Sequence, residues 1–321
     1  MGRRRTRLGL LGAAFLACVS APLGVRAEAP LRAAQWLAPE ADAVTALTLQ
    51  PAECLALPEN PDAALSVEIG RAAFRTPLLL GGQGARAGLS CQSCHINGHG
   101  NPDFHFPGLS GAPGTADVTS SVMSEVREDG AFNPKPIPTL TLSDSAAPIV
   151  TRDPETGALE LFIHGLIVEE FAGHEPPPAA LAGLANYVRA LSPAICPAEM
   201  DTPVTLAADM ADARRALRTA QSVLETGDGD TGALMLAAVR SKLEEIDERF
   251  ADEQLADQRA ALRATAALLG EIRRTAQDDP ASAHAALETW PARLTALEAA
   301  LASGEPRSLY DPETLDAALS R

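Results

Sequence analysis

The stretch Cys91-Gln92-Ser93-Cys94-His95 decides how the whole chain is interpreted. Two cysteines three positions apart, followed at once by a histidine, form the attachment pattern of a c-type haem. Each thiol adds to one vinyl group of the porphyrin, and the two intervening residues allow both sulfurs to reach one edge of the ring. The adjacent histidine then supplies the proximal iron ligand, the ligand type that haem proteins use most. We therefore predict one covalent haem c, held by Cys91 and Cys94, with His95 as the proximal ligand.

The same cysteine spacing also occurs in zinc sites and in thiol–disulfide oxidoreductases. A zinc site needs a second pair of ligands, and the other cysteines, Cys18, Cys54 and Cys196, form no second CxxC. A thioredoxin-like redox pair needs a βαβ context, and the sequence around the motif does not have one. Both alternatives are therefore weaker than haem attachment.

The N-terminus has the features of a secretory signal peptide. It has four arginines among its first seven residues, then an apolar run from Leu8 to about Val25, and it offers small residues for cleavage after Ala27. We assign residues 1–27 to a cleaved signal peptide and expect a periplasmic protein. A minor alternative is lipoprotein processing at Cys18, because the residues before it loosely resemble a lipobox. The sequence contains no other stretch that is long and apolar enough to span a bilayer.

Two cysteines remain in the expected mature chain once the haem motif is set aside. Cys54 precedes the motif and Cys196 follows it. In an oxidising periplasm two such thiols usually pair. We predict a disulfide that closes a long loop around the haem segment and stabilises it by about 2–4 kcal/mol. Two separate free thiols are the alternative.

Length and charge limit the class of protein and its partners. The chain has 321 residues, a net charge of −16 and an apolar content of 46%. This length suggests two domains as a soft prior, and the apolar content is enough to fill ordinary cores. Nucleic acid is not expected as a partner, since binding it requires a basic face. An acidic surface would suit a basic redox partner protein, although acidity more often serves solubility.

Composition divides the first two thirds of the expected mature chain into two parts. Residues 28–64 form an N-terminal lead-in segment that is broken by prolines. Residues 65–197 contain the motif and are expected to form a cytochrome c haem domain, with helices at Ala64–Phe74 and Ala179–Leu191. Between these helices, residues 97–160 are rich in Gly, Pro, Asp and Ser. We expect this long loop to wrap the porphyrin and to gain its core from it.

Residues 198–321 have a different composition, rich in Ala, Leu, Arg, Asp and Glu. Apolar residues recur there at spacings of three and four in three successive stretches, which is the pattern of packed helices. Asp279 and Asp311 each precede a proline and therefore mark helix starts. We predict an all-α chain, in which a cytochrome c-type haem domain with long loops is followed by an α-helical bundle. The bundle has a structural role in the simplest interpretation, and docking of a partner protein is the alternative.

Several short segments around the motif can be compared with known families. They are residues 69–74 (IGRAAF), 77–79 (PLL), 89–95 (LSCQSCH), 137–140 (IPTL), 162–165 (FIHG) with Glu169-Glu170 after it, and 185–191 (ANYVRAL). Together these segments resemble the bacterial cytochrome c peroxidase and MauG-type family. The resemblance covers about residues 65–195 and does not extend into the C-terminal helices.

This resemblance implies a mainly helical cytochrome c domain and a candidate pair of catalytic carboxylates. Glu169 and Glu170 match the family position of an acid–base group beside the haem, where a carboxylate can move a proton between the oxygens of a peroxide. Ordinary exposed charges are the alternative for this pair. The chain departs from the family in having a single CxxCH, where members usually carry two haem domains. It also has His164 and Leu166 where the family has Asp and Arg.

The second axial position of the iron decides between electron transfer and catalysis. Met or His there gives a closed electron-transfer haem, whereas an open face permits chemistry on peroxide. We rank His164 first as the distal ligand, because it occupies the segment that resembles the family's distal loop. Met123 is second, on a segment (Thr119 to Val126) expected to form a short helix. Less suitable candidates by position are His99, His105, His174 and Met200.

Three functions are compatible with the sequence. The first is one-electron transfer by a periplasmic monohaem c-type cytochrome with a six-coordinate iron and a redox partner protein. The second is a peroxidase or MauG-type oxidoreductase acting on hydrogen peroxide, with His95 proximal and Glu169 or Glu170 assisting oxygen–oxygen cleavage. The third is a redox-linked scaffold whose C-terminal bundle docks a partner protein.

Overall fold

The computed structural model describes residues 30–141, 149–197 and 200–320, and these are mostly helical, as the all-α prediction expects. The predicted signal peptide and the lipoprotein alternative at Cys18 lie outside the described residues. The helices and strands, in chain order, are α1 (Ala43–Thr48), β1 (Leu49–Pro51), α2 (Pro61–Phe74), α3 (Gly82–Arg86), α4 (Cys91–Cys94), β2 (Thr115–Ala116), β3 (Lys135–Pro136), α5 (Ala158–Gly165), α6 (Pro178–Ala190), β4 (Asp201–Pro203), α7 (Leu206–Glu225), α8 (Gly229–Arg249), α9 (Ala256–Asp278), α10 (Pro280–Ala286), α11 (Trp290–Ala302) and α12 (Pro312–Leu319). A π-helical turn, Leu166–Glu170, follows α5 directly.

Helices α2 and α6 form the helix pair beside the haem motif, and both predicted helices are confirmed. Helix α2 begins three residues earlier than predicted, because the Asn60 side chain caps the first turn and Pro61 fits the first helical position. The two helices approach each other closely at Gly70 and Gly183, where a methyl group on Gly70 would overlap the Gly183 carbonyl. Glycine at this crossing therefore allows the two backbones to touch.

The lead-in segment is fastened to the start of the C-terminal helices at two points. Strand β1 pairs antiparallel with β4, so that Gln50 lies opposite Thr202. Cys54 and Cys196 form a disulfide with their Cα atoms 4.7 Å apart, which confirms the predicted pairing. The two bridged cysteines are 142 positions apart in the sequence, and the CxxCH motif lies between them.

The C-terminal part is the predicted helical bundle, in which long helices α7, α8 and α9 pack side by side. Asp279 and Asp311 cap α10 and α12 by accepting hydrogen bonds from backbone N–H groups three residues on, which confirms both predicted helix starts. Pro291 interrupts the third apolar stretch and lies in the first turn of α11, where its ring fits. Methionines Met210 and Met235 are fully buried among these helices.

One buried core connects the haem segment with the bundle. Phe74 of α2 and Tyr187 of α6 belong to the same apolar cluster as Leu206 of α7 and Leu236 of α8. Helix α2 contacts both α7 and α8. The segment around the motif therefore rests on the bundle through a shared apolar surface, and burial of this surface stabilises both parts together.

The predicted long loop has little regular structure, and one expectation within it is wrong. The segment from Thr119 to Val126 forms consecutive turns, not a helix. The hydroxyl of Ser120 accepts a hydrogen bond from the N–H of Val122, and the hydroxyl of Ser124 accepts one from Val126. Such side chains satisfy the backbone locally and compete with the helical pattern. Among the described residues, the helices are too short or too polar to cross a bilayer.

Candidate haem-binding site

The motif lies on helix α4, a single turn whose geometry is fixed by a capping box. The Ser93 hydroxyl accepts a hydrogen bond from the backbone N–H of Ser90, and the Ser90 side chain caps the turn in return. Residues three apart on a helix lie on one face, so Cys91 and Cys94 present their thiols on the same side. Both thiols are free, and they do not form a disulfide with each other.

The two thiols lie where two apolar clusters meet. Cys91 packs against the main core, and Cys94 packs against a second cluster, built from Leu89, Phe104, Leu109, Ala116 and Met123. Burial raises the pKa of Cys91 to about 12, and burial also raises the pKa of Cys94 well above its usual range. At neutral pH both groups are therefore protonated thiols in an apolar setting.

His95 is held with one ring nitrogen bound and the other free. Its Nδ1–H donates to the backbone carbonyl of Pro138 over 3.0 Å. Desolvation lowers the pKa of His95 to about 4, so the imidazole is neutral at physiological pH, with its lone pair on Nε2. Histidines that ligate metals usually donate their second N–H to a backbone carbonyl or a carboxylate in this way.

The carbonyl that orients His95 belongs to Pro138. Pro138 lies in the IPTL stretch (residues 137–140), for which the sequence predicts a family resemblance but no role in the site. The neighbouring Leu140 donates its N–H to the carbonyl of Gly98 over 2.7 Å, which fastens this stretch to the residues just after the motif. The Phe74 ring lies 6.5 Å from the imidazole, centroid to centroid, on the α2 side.

A buried polar network lies beside the motif, and no pattern in the sequence predicts it. Glu53 accepts hydrogen bonds from Arg71, from Arg75 over 2.8 Å and from the Tyr187 hydroxyl over 2.7 Å. Burial by itself would raise the pKa of Glu53, but the charges of Arg75 and Arg71 outweigh it and lower the pKa to about 2. Glu53 is therefore ionised at neutral pH and lies between two guanidinium groups.

Asn97 joins this network to the motif. Its side-chain oxygen accepts from Arg75 over 2.8 Å and from Gln92 over 3.0 Å, and its side-chain nitrogen donates to the Pro51 carbonyl over 2.8 Å. Its backbone has φ = 51°, a left-handed conformation that Asn tolerates better than most residues. Since Gln92 lies between the two cysteines, these bonds fix the outer side of the attachment turn.

The two predicted distal-ligand candidates lie in different settings. Met123 is 4% exposed and shares the second cluster with Cys94. His164 lies near the end of α5, is partly exposed, and is 2.8 Å from Glu175 through its Nε2. The structure therefore brings Met123 into the same cluster as a haem-attachment thiol, whereas the imidazole of His164 is engaged by a surface carboxylate.

The remaining histidine and methionine candidates are held elsewhere. His99 Nε2 lies 3.1 Å from the Ala52 carbonyl, beside the disulfide. His105 is partly exposed and His174 is exposed. Met200 contributes its backbone carbonyl to the N–H of Ala52, next to the β1–β4 pair.

The two adjacent carboxylates of the predicted acid–base pair have opposite environments. The Glu169 side chain is 49% exposed and accepts a hydrogen bond from Arg127 over 3.0 Å. Glu170 is 4% exposed, and its Oε2 is buried without a hydrogen-bond partner. Burial raises the pKa of Glu170 to about 8, and the charge of Arg127 offsets this only in part. A carboxyl group with this pKa can both accept and donate a proton near neutral pH.

These residues fit a covalent haem by the chemistry of their donors. Two free thiols on one helix face lie where two apolar clusters meet, and a neutral imidazole follows them directly in the chain. Across the described ranges, the structure gathers no group of three or more His, Cys, Asp or Glu side chains that could hold a bare metal ion. A haem needs only one or two axial ligands from the protein.

Comparisons with protein-family models, with curated proteins and with solved structures gave no match. The functional argument for this chain therefore depends on the site itself.

Proposed function

We propose that this protein is a periplasmic monohaem c-type cytochrome that passes single electrons to and from a partner protein. The observation that carries the proposal is the setting of His95. Its Nδ1–H is bound to the Pro138 carbonyl and its Nε2 is left free, directly beside two unpaired thiols. When bound, haem c supplies a one-electron couple between ferric and ferrous iron.

The residues of the chain have separate roles in this proposal. Cys91 and Cys94 would hold the porphyrin covalently. His95 would supply the proximal nitrogen, and its hydrogen bond to the Pro138 carbonyl fixes the tautomer and orients the ring. Asn97 holds the turn between the cysteines from the outside.

Met123 is the residue that we propose as the sixth ligand. It is buried, its thioether is a soft ligand that iron accepts in cytochromes c, and it lies in the cluster that contains Cys94. His164 is the weaker choice, since freeing its imidazole would break its contact with Glu175. With two protein ligands the iron would have no open face for peroxide.

One observation supports a second candidate function, peroxide chemistry. Glu170 is a buried carboxyl with an unpartnered oxygen, and its pKa of about 8 suits a group that receives and returns a proton. A peroxidase of this kind would need an open iron face and electrons from a separate protein. The resemblance of residues 65–195 to the peroxidase and MauG-type family also favours this alternative.

Electron paramagnetic resonance of the ferric protein separates the two functions. A purely low-spin signal, with no spectral change on adding hydrogen peroxide, supports electron transfer. A substantial high-spin signal that is consumed by peroxide supports the oxidoreductase and overturns the first proposal. The protein is produced with a haem-attachment system and measured as the full mature chain.

A further inference from the structure

Glu170 is buried, and its negative charge is only partly balanced by a neighbouring cation. It ends the π-helical turn after α5, its residue is 4% exposed, and its Oε2 is buried with no hydrogen-bond partner. The nearest cation, Arg127, has its Nη1 3.8 Å from this oxygen, which is too far for a hydrogen bond. The Nε of Arg127 is instead bonded to the exposed Glu169.

The charged groups around Glu170 oppose one another. Arg127 favours the carboxylate form, whereas Asp117 disfavours it. Asp117 is itself held as a carboxylate by hydrogen bonds from the N–H groups of Thr119 and Asn133, so its negative charge is fixed. The resulting balance places the pKa of Glu170 close to neutral, at about 8.

Glu170 is also close enough to the attachment thiols to interact with them. Its charge contributes to the raised pKa of both Cys91 and Cys94, after the larger effect of burial. The next residue, Phe171, packs against the main core and against the cluster that contains Cys94. A change in charge on a group held by these cysteines is therefore felt by the Glu170 carboxyl through apolar surroundings, where screening is weak.

We propose that Glu170 takes up a proton when the bound haem is reduced and releases it when the haem is oxidised. This inference rests on the proposed function, a haem c on Cys91 and Cys94. Reduction of a bound haem by a one-electron donor would lower the positive charge of the site by one. One proton moves from solvent to the Glu170 carboxylate, so the net charge of the site does not change. The protein then transfers an electron together with a proton.

The sign of the pH dependence follows from this coupling. Reduction removes positive charge near Glu170 and makes its carboxylate less favourable, so its pKa is higher in the ferrous protein than in the ferric protein. Between these two pKa values the midpoint potential falls as pH rises. A pH unit is a tenfold change in proton concentration, which limits the fall to about 59 mV per unit for one electron. Below and above this window the potential is flat.

The test is the midpoint potential of the holoprotein from pH 5 to pH 10, for the unaltered chain and two variants. The unaltered protein is expected to show the fall at neutral to mildly alkaline pH, and Glu170→Gln is expected to lose it. Glu169→Gln is the matched control, with the same chemical change one residue away on an exposed side chain. This variant should retain the fall in potential. Any shift of the pH window should be toward lower pH, because Arg127 is released from Glu169 and can pair with Glu170.

Three results overturn the inference. The first is a midpoint potential that is independent of pH in the unaltered protein. The second is a fall that Glu170→Gln retains in full, since other groups would then be responsible. If Glu170→Gln does not fold, proton uptake on reducing the unaltered protein is measured with a pH indicator in weak buffer, and a lack of uptake in the window refutes the proposal. A protein without a covalent haem defeats the proposed function itself, whereas a reversible couple without pH dependence defeats this inference alone.

Discussion

Replacing Glu53 by Gln should destabilise the protein and should remove a defined part of its acid sensitivity. The Glu53 side chain is 10% exposed and is the common partner of Arg71, Arg75 and the Tyr187 hydroxyl. Glutamine preserves the shape of the side chain but removes its charge. Two guanidinium groups then lie beside the motif without their carboxylate.

The magnitude follows from the pKa of Glu53, which falls from an ordinary 4.5 to about 2 on folding. A depressed pKa contributes stability above pH 4.5, and this contribution is lost as pH falls toward 2. The shift corresponds to roughly 3 kcal/mol of unfolding free energy. Removing one partner of a buried ion pair typically costs about 3–5 kcal/mol, which is a consistent range. We expect Glu53→Gln to lower the free energy of unfolding at pH 7 by about 3 kcal/mol.

Equilibrium urea unfolding at a series of pH values from 7 down to 2.5 measures this effect. The loss caused by Glu53→Gln should be largest at pH 7 and should shrink at the acid end. As pH approaches the folded-state pKa of Glu53, its carboxyl becomes protonated in the folded state as well as in the unfolded state. Glu59→Gln is the matched control, since Glu59 is exposed and six residues away in the same segment. It should change the free energy by less than about 0.5 kcal/mol.

Two results would refute this reasoning. A Glu53→Gln loss below about 1 kcal/mol at pH 7 would mean that the network contributes little. A loss that is equally large at pH 7 and pH 2.5 would mean that packing, and not the charge of Glu53, is responsible.

Further predictions concern the disulfide, the buried acid and the sixth ligand. The double variant Cys54→Ser/Cys196→Ser should lower the free energy of unfolding by about 2–5 kcal/mol, measured by urea denaturation under oxidising conditions. The pKa of Glu170 is raised to about 8, so the folded state binds this proton more tightly than the unfolded chain does. The carboxyl therefore does not destabilise the fold below pH 4.5, and it lowers the free energy of unfolding increasingly as pH rises through 8. Glu170→Gln should therefore raise the free energy of unfolding by up to about 5 kcal/mol at pH 9 and by nothing at pH 4, and a pH-independent gain would contradict this. Met123→Leu should convert the ferric haem to a high-spin species, whereas His164→Gln should leave the paramagnetic spectrum unchanged, and the reverse pattern would identify His164 as the ligand.

Local signals in the sequence predicted the helices well, because their causes lie within a few residues. Asp279 and Asp311 cap their helices through backbone groups three positions away, so the pattern alone was sufficient. The same local reasoning failed for Thr119 to Val126. A short helix was expected there, but serine hydroxyls accept hydrogen bonds from nearby backbone N–H groups and the chain forms turns.

Contacts between distant parts of the chain were predicted only where the chemistry is selective. The Cys54–Cys196 bridge was predictable, because only two cysteines remain once the haem motif and the expected signal peptide are set aside, and a periplasmic location, which was itself an expectation, favours their pairing. The network of Glu53 was not predictable, since its partners Arg71, Arg75 and Tyr187 lie 18 to 134 positions away and ion pairs have no sequence signature. These partners balance the charge of Glu53 only once the chain has folded.

The candidate site shows the same limit. The spacing of Cys91, Cys94 and His95 predicts a haem-attachment motif, and that prediction needs only neighbouring residues. It could not show that the carbonyl of Pro138 orients the imidazole, because a backbone acceptor leaves no trace in residue type. Glu169 and Glu170 were indistinguishable in the sequence, yet the fold exposes the first and buries the second.

Whether Cys91 and Cys94 carry a haem is measured on the denatured protein. The mature chain is expressed with a haem-attachment system, denatured, and analysed by intact mass spectrometry and by the spectrum of its pyridine complex. We expect one haem per chain that survives denaturation in the unaltered protein and in Cys54→Ser/Cys196→Ser, and that is absent in Cys91→Ala/Cys94→Ala. A folded, exported chain without covalent haem would refute the proposed cytochrome, as would attachment that persists without Cys91 and Cys94.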